Sequence, residues 1–229
     1  MMGGKFALML SSRRLIPFLV AVFVFSSACT QLFYASMKKL GKDKRDILVS
    51  RILDAKKAQQ DASKQFQSAL EAFQAVTNFD GGDLEKSYKN LNGEYEDAAS
   101  RAQKVSDRVD SIEKVSKDLF KEWGGEIEQM SEGRLKQDSR ALLRKSEQRN
   151  HDLVRQMRGS EQRMRPVLQK FHDRVLFLKH DLNARAIGSL KGQAGAIDAE
   201  VAQLVKDIEA SNEAADRAIA GLTQDSESK

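Results

Sequence analysis

A single cysteine, Cys29, occurs among 229 residues, which excludes any disulfide within the chain. Stability has to come from packing alone. Proline is almost missing: Pro17 and Pro166 are the two, so little interrupts a continuous helix. Aromatic residues make up 7% of the chain and tryptophan occurs once, as Trp123. Strand-type alternation of apolar and polar residues appears nowhere over a useful length, which argues against a sheet. No G-x-S-x-G, P-loop or dinucleotide fingerprint occurs either. A nucleic-acid reader needs a concentrated basic face, and here charges of both signs are interspersed.

Charge and apolar residues are distributed unevenly at the start. Lys5, Arg13 and Arg14 precede an 11-residue apolar run, Leu15 to Phe25, and no acidic residue accompanies them. Ser26-Ser27-Ala28 and then Cys29 follow. Charged, apolar and small segments in that order form a secretory signal, and a run of roughly 10–14 apolar residues is too short to span a bilayer. With cysteine after the small residues, the segment resembles the bacterial lipobox. Its position three before the cysteine departs from the pattern, holding Ser26 instead of an apolar residue. The resemblance implies cleavage between Ala28 and Cys29 and lipidation of Cys29 with palmitate-type chains. Two or more such chains hold a protein stably to a membrane. Thr30, in place of an aspartate, points to the outer membrane over the inner, with the body in the periplasm. Met9 is an alternative start to Met1. The whole chain carries +5, from 38 basic and 33 acidic residues. Without residues 1–28 the count is 35 basic against 33 acidic, or +2.

The remainder reads as helix throughout. Leu48, Ile52, Ala55, Gln59, Ala62, Phe66, Ala69, Phe73 and Val76 follow alternating steps of four and three, a heptad seam with one polar member. A second series runs from Leu84 through Tyr88, Leu91, Tyr95, Ala98, Ala102, Val105, Val109, Ile112, Ser116 and Leu119 to Trp123. Ile127 and Met130 continue its face. A last series runs from Leu190 through Ala194, Ile197, Val201, Leu204, Ile208, Ser211, Ala215 and Ala218 to Leu222. Between them lies a less regular helix. Leu135, Leu142, Leu153 and Met157 mark its first half, with Ser146, Arg149 and Ser160 at seam positions. Leu168, Phe171, Val175, Leu178 and Leu182 mark its second half. Pro166 sits at the join and predicts a kink near residues 162–166.

Turns separate these segments. Asn78 to Asp83 is rich in turn residues and offers Asp83 as an N-cap. Ser131-Glu132-Gly133 forms a second break, and Asp181-Leu182-Asn183 a third. Short connections force antiparallel neighbours. At 1.5 Å per residue, a helix over 43–77 reaches about 50 Å and one over 83–131 about 70 Å. The expected fold is all-α: an elongated antiparallel helical bundle or coiled coil of three to four long helices. The expected division is a signal peptide over 1–28, a tether over 29–42, a helical domain over 43–222 and a disordered polar tail over 223–229.

Four stretches carry a family resemblance: Lys44 to Val49, Gln65 to Leu70, Asn78 to Leu84, and Leu178 to Ala184. With these, about residues 33–220 resemble a bacterial family catalogued as domain of unknown function 2959. Its members have a lipoprotein-like leader and a helical body. The resemblance implies no activity and no catalytic residues.

Few residues invite chemistry. His172-Asp173 and His180-Asp181 lie eight residues apart, about 12 Å of helix axis. That is too far for one ion, whose helical ligand pairs are spaced by three or four. Asp80 and Asp83 flank two glycines, yet a calcium loop uses six or more oxygens. His151 sits among charges. The expectation is no enzyme, no cofactor and no metal. Gln59 stands out in an apolar seam, either as a register-fixing insertion or as a point where helix one is only partly covered, and Trp123 with Phe120 and Ile127 reads as core. Two functions fit: a membrane-anchored structural or adaptor protein meeting a protein partner or a second copy of itself, and a carrier holding an apolar ligand near Phe171, Phe177 and Trp123.

Overall fold

The computed structural model describes residues 44–131 and 133–227, with side chains through Thr223. The leader, the Ala28–Cys29 junction and the tether lie outside the described residues. Five helices follow one another: α1 Lys44–Thr77, α2 Leu84–Glu128, α3 Arg134–His180, α4 Ala184–Lys191 and α5 Ala194–Glu227. No strand occurs among the described residues.

The heptad spacing explains why these segments associate. Every seam position of α1 from Leu48 to Val76, Gln59 included, is completely buried. Much of the α2 and α5 seams is buried as well, with Val105, Val109, Ile112, Ile197, Val201 and Leu204 in the core, while Leu84, Tyr88, Tyr95, Ala102 and Ala194 are half-buried. Phe66, Phe73, Phe171, Met157 and Met164 fill the space between the stripes. Burying each such side chain contributes about 1.5–3 kcal/mol before the entropy of ordering is subtracted.

Polar contacts along the edges define which helices are neighbours. Gln65 donates to Glu94 at 2.5 Å and Arg101 pairs with Asp61 at 3.9 Å, joining α1 to α2. Arg158 reaches Asp110 and Glu113, joining α3 to α2. Arg163 pairs with Asp207 at 2.9 Å and Lys170 with Glu200, joining α3 to α5. Lys56 pairs with Asp216 at 2.5 Å and Gln74 donates to Asp198 at 3.4 Å, closing the ring from α1 to α5. In each pair the numbering rises on one helix and falls on the other, so neighbours are antiparallel. Across the diagonal α1 and α3 run parallel, with Phe73 edge-on to Phe171 at 6.4 Å. The described body is an up-down four-helix bundle with α4 as a short added helix.

The helices differ in length: α2 and α3 have 45 and 47 residues, α1 and α5 have 34 each. Continuing the α3–α5 register places Glu227 opposite about residue 143. The α2–α3 hairpin therefore continues past the end of α5.

Two expectations are corrected here. Leu135 and Leu142 are not seam residues; they are 73% and 38% exposed. The buried stripe of early α3 starts one position later, at Lys136, and then passes through the expected seam positions Ser146 and Leu153. Stepping backward by three or four from Leu153 allows both phases, and the leucines lie on the wrong one. Pro166 lies inside α3, which is helical from Arg134 to His180. Pro166 is exposed, so the Gln162 carbonyl that loses its donor faces water. Finally, α5 does not stop at Leu222 but continues to Glu227. The Thr223 hydroxyl donates back to the Ile219 and Ala220 carbonyls at 3.2 and 2.9 Å.

The turns follow the expected chemistry. Asp83 caps α2 by accepting from the Lys86 N–H at 3.0 Å. Gly82 before it takes φ +104°, which glycine adopts without strain. Asn183 caps α4, accepting from the Arg185 and Ala186 N–H groups. The chain thus starts a separate short helix there, then breaks again at Gly192-Gln193 before α5.

Candidate functional site

The one polar residue of the α1 seam meets partners from two other helices. Gln59 donates from Nε2 to Ser160 Oγ on α3 at 2.6 Å. It accepts at Oε1 from Ser211 Oγ on α5 at 3.1 Å. Ser160 in turn donates to the Met157 carbonyl at 2.9 Å. All three side chains are buried. A buried amide without partners costs about 1–3 kcal/mol, so this layer favours the one alignment in which the three meet. The sequence singles out Gln59 as either a register device or a partly covered position, and places Ser160 and Ser211 on their seams without joining them to it.

A second cluster lies at the α2–α3 edge. The Arg158 guanidinium bonds Glu113 at 3.0 Å, Glu161 at 2.7 Å and Asp110. The Glu113 bond, ahead of those from Asp110 and Glu161, raises the guanidinium pKa above its already high ordinary value against partial burial. Arg158 has no role but charge and geometry here, since it stays protonated. Sequence reasoning missed it, although Arg158, Asp110 and Glu113 each flank a seam residue, where interhelical ion pairs form. At the hairpin end the buried stem of Lys136 carries its ammonium to the Glu128 carboxylate at 3.4 Å. Arg140 hydrogen-bonds the same carboxylate at 3.1 and 3.2 Å. Arg140, with Lys136 behind it, holds Glu128 below the usual carboxylate range. A third feature had no sequence signal: the Arg149 guanidinium packs against Gly221, where an added Cβ would lie 2.8 Å from it.

The residues singled out for chemistry are kept apart. His172 stacks at a tilt on Tyr95, centroids 5.7 Å apart, with Asp173 at 3.7 Å. His180 ends α3 and is exposed, as is Asp181, which accepts from Asn183. Asp83 serves as the cap of α2. Among the described residues no group of three or more His, Cys, Asp or Glu side chains is arranged to hold a metal ion. No described helix is long and apolar enough to cross a membrane. Cys29 and Ala28 lie outside the described residues.

The expected carrier cluster does not assemble. Phe171 is in the core, Phe177 is 41% exposed near the end of α3, and Trp123 lies towards the opposite end. The α2–α3 register puts residue 97 or so opposite Phe171, about 39 Å of helix from Trp123. Trp123 instead packs under Arg45, whose guanidinium carbon lies 5.2 Å from its ring centroid. A void beside Ile52, Ser146, Asn150, Ala218 and Leu222 measures about 10 Å³, room for one water.

An antiparallel four-helix body with a packed seam and one polar layer defines the class. The chain belongs to the family described as protein of unknown function (DUF2959), whose model matches residues 33–222. Comparison with curated proteins finds no match.

Proposed function

We propose that this chain is a non-enzymatic lipoprotein of the bacterial envelope, anchored through Cys29, whose helical body is a structural or adaptor element for a protein partner. The observation that carries the reading is the filled interior. The seam of α1 is buried without exception, and the diagonal between α1 and α3 is occupied by Phe73 against Phe171. A seam filled by the protein's own side chains favours work through the outer faces. Exposed apolar side chains on those faces include Leu53 on α1 and Leu176 on α3. The leader supports the anchor by its order of charged, apolar and small residues before Cys29. The outer membrane is the proposed site, on the strength of Thr30.

Two measurements test this reading. Radiolabelled palmitate should enter the wild type and not Cys29→Ala; equal labelling would remove the anchor. Photo-crosslinking residues at Leu53 and Leu176, in intact envelopes, should trap one protein, either a partner or a second copy. The same group at Phe171 should trap none. Capture of a lipid from Phe171, with no protein from the outer positions, would replace the adaptor by the carrier.

A further inference from the structure

An open cleft of about 250 Å³ lies between α1 and α2, and its walls are mostly cationic. Arg101, Lys104 and Arg108 line it from α2 and Lys57 from α1. The three α2 residues follow steps of three and four, so they share one stripe of that helix. Like charges at such spacing destabilise a helix by a few tenths of a kcal/mol per pair. Compensation from the protein is partial. Asp54 and Asp61 also line the cleft, Asp61 pairing with Arg101 at 3.9 Å and Asp54 with Arg51 at 3.6 Å, so cations outnumber acids there. Lys57, Lys104 and Arg108 engage no ion pair or hydrogen bond among the described residues. Asp107, one turn along, already accepts from Gln103 at 2.9 Å. Ala58 lines the cleft from α1 without filling it.

We propose that this cleft binds a phosphate-type oxyanion, gripped by Arg108 and Lys104 from one side and Lys57 from the other. Guanidinium and ammonium groups suit phosphate oxygens, the arginine through a two-pronged hydrogen bond. The volume falls below the roughly 300–1,000 Å³ of pockets for whole drug-sized ligands, so it fits a phosphate or diphosphate group and little more. The cleft is open, so the phosphate can belong to a free molecule or to a lipid headgroup. The assignment goes beyond the adaptor reading and does not depend on it.

The test is calorimetric titration of the full chain, in neutral detergent at low salt, with inorganic pyrophosphate. Saturable binding is expected, weakening as salt is added because the cleft is open to screening. Lys104→Gln with Arg108→Gln should weaken it about tenfold or more, and Lys57→Gln alone should weaken it measurably. Lys121→Gln with Arg165→Gln removes the same charge from exposed positions outside the cleft and should change affinity less than about twofold. Thermal unfolding without ligand should show no loss of stability in any of the three, and a slight gain where like charges are removed. No saturable binding by wild type, or equal loss in the Lys121/Arg165 control, would overturn the site. Doping the micelles with phosphatidylglycerol separates the sources: competition with pyrophosphate assigns a lipid headgroup, and its absence assigns a free phosphate.

Discussion

Gln59 shows how a residue that costs stability in isolation is kept useful by its neighbours. Its amide is desolvated completely, yet both ends are engaged by hydroxyls from other helices. Removing one member strands the others, whereas removing all three leaves apolar surface against apolar surface. Gln59→Leu should therefore lose about 1–3 kcal/mol, and Gln59→Leu with Ser160→Ala and Ser211→Ala should recover most of it. Guanidinium unfolding of the single and triple variants measures this; a triple variant weaker than the single would refute the account of the layer. Glu128 gives a pH-dependent counterpart. Its carboxyl is held down mainly by Arg140, so its contribution is present above the ordinary carboxylate pKa and fades as pH falls through the lowered value. Carboxyl titration by NMR should find Glu128 below the usual range, moving up in Arg140→Gln. An unchanged midpoint would remove Arg140 as the cause.

Among the elements, α1 was readable in full because its seam holds apolar or small residues at every step but one. The cap at Asp83 was readable as well, since a short carboxylate before an apolar series has one favourable use. Early α3 was not. Its stripe contains Lys136 and Ser146, polar residues that bury through a long stem and a small volume, while Leu135 points outward. Where a seam is polar, composition no longer shows its phase; only the facing helix decides. Pro166 lies inside α3 at an exposed position, where water can take up the carbonyl it orphans. Pro166→Ala restores one backbone hydrogen bond and should raise stability by about 1–3 kcal/mol. Thermal unfolding checks it, and a loss of stability would mean that the proline shapes how α3 lies on its neighbours.

At the scale of the described body, antiparallel neighbours followed from short turns, and the ring α1–α2–α3–α5 followed from which seams could cover one another. Candidate chemistry was less legible, because it depends on which side chains meet. His172 and His180 remain separate, and Phe171 and Trp123 lie far apart along the bundle. The cationic cleft had no signal in net charge, since its excess is local to one pair of helices. The α1 seam is filled by the protein's own side chains, and the proposed function rests on that packing. The most direct test is organic-solvent extraction of the purified full chain, with lipid in the extract quantified by mass spectrometry. No lipid in molar proportion to protein should appear, the acyl groups of Cys29 staying covalently attached. One extractable lipid per chain, lost when Phe171 is replaced by tryptophan, would contradict the filled interior.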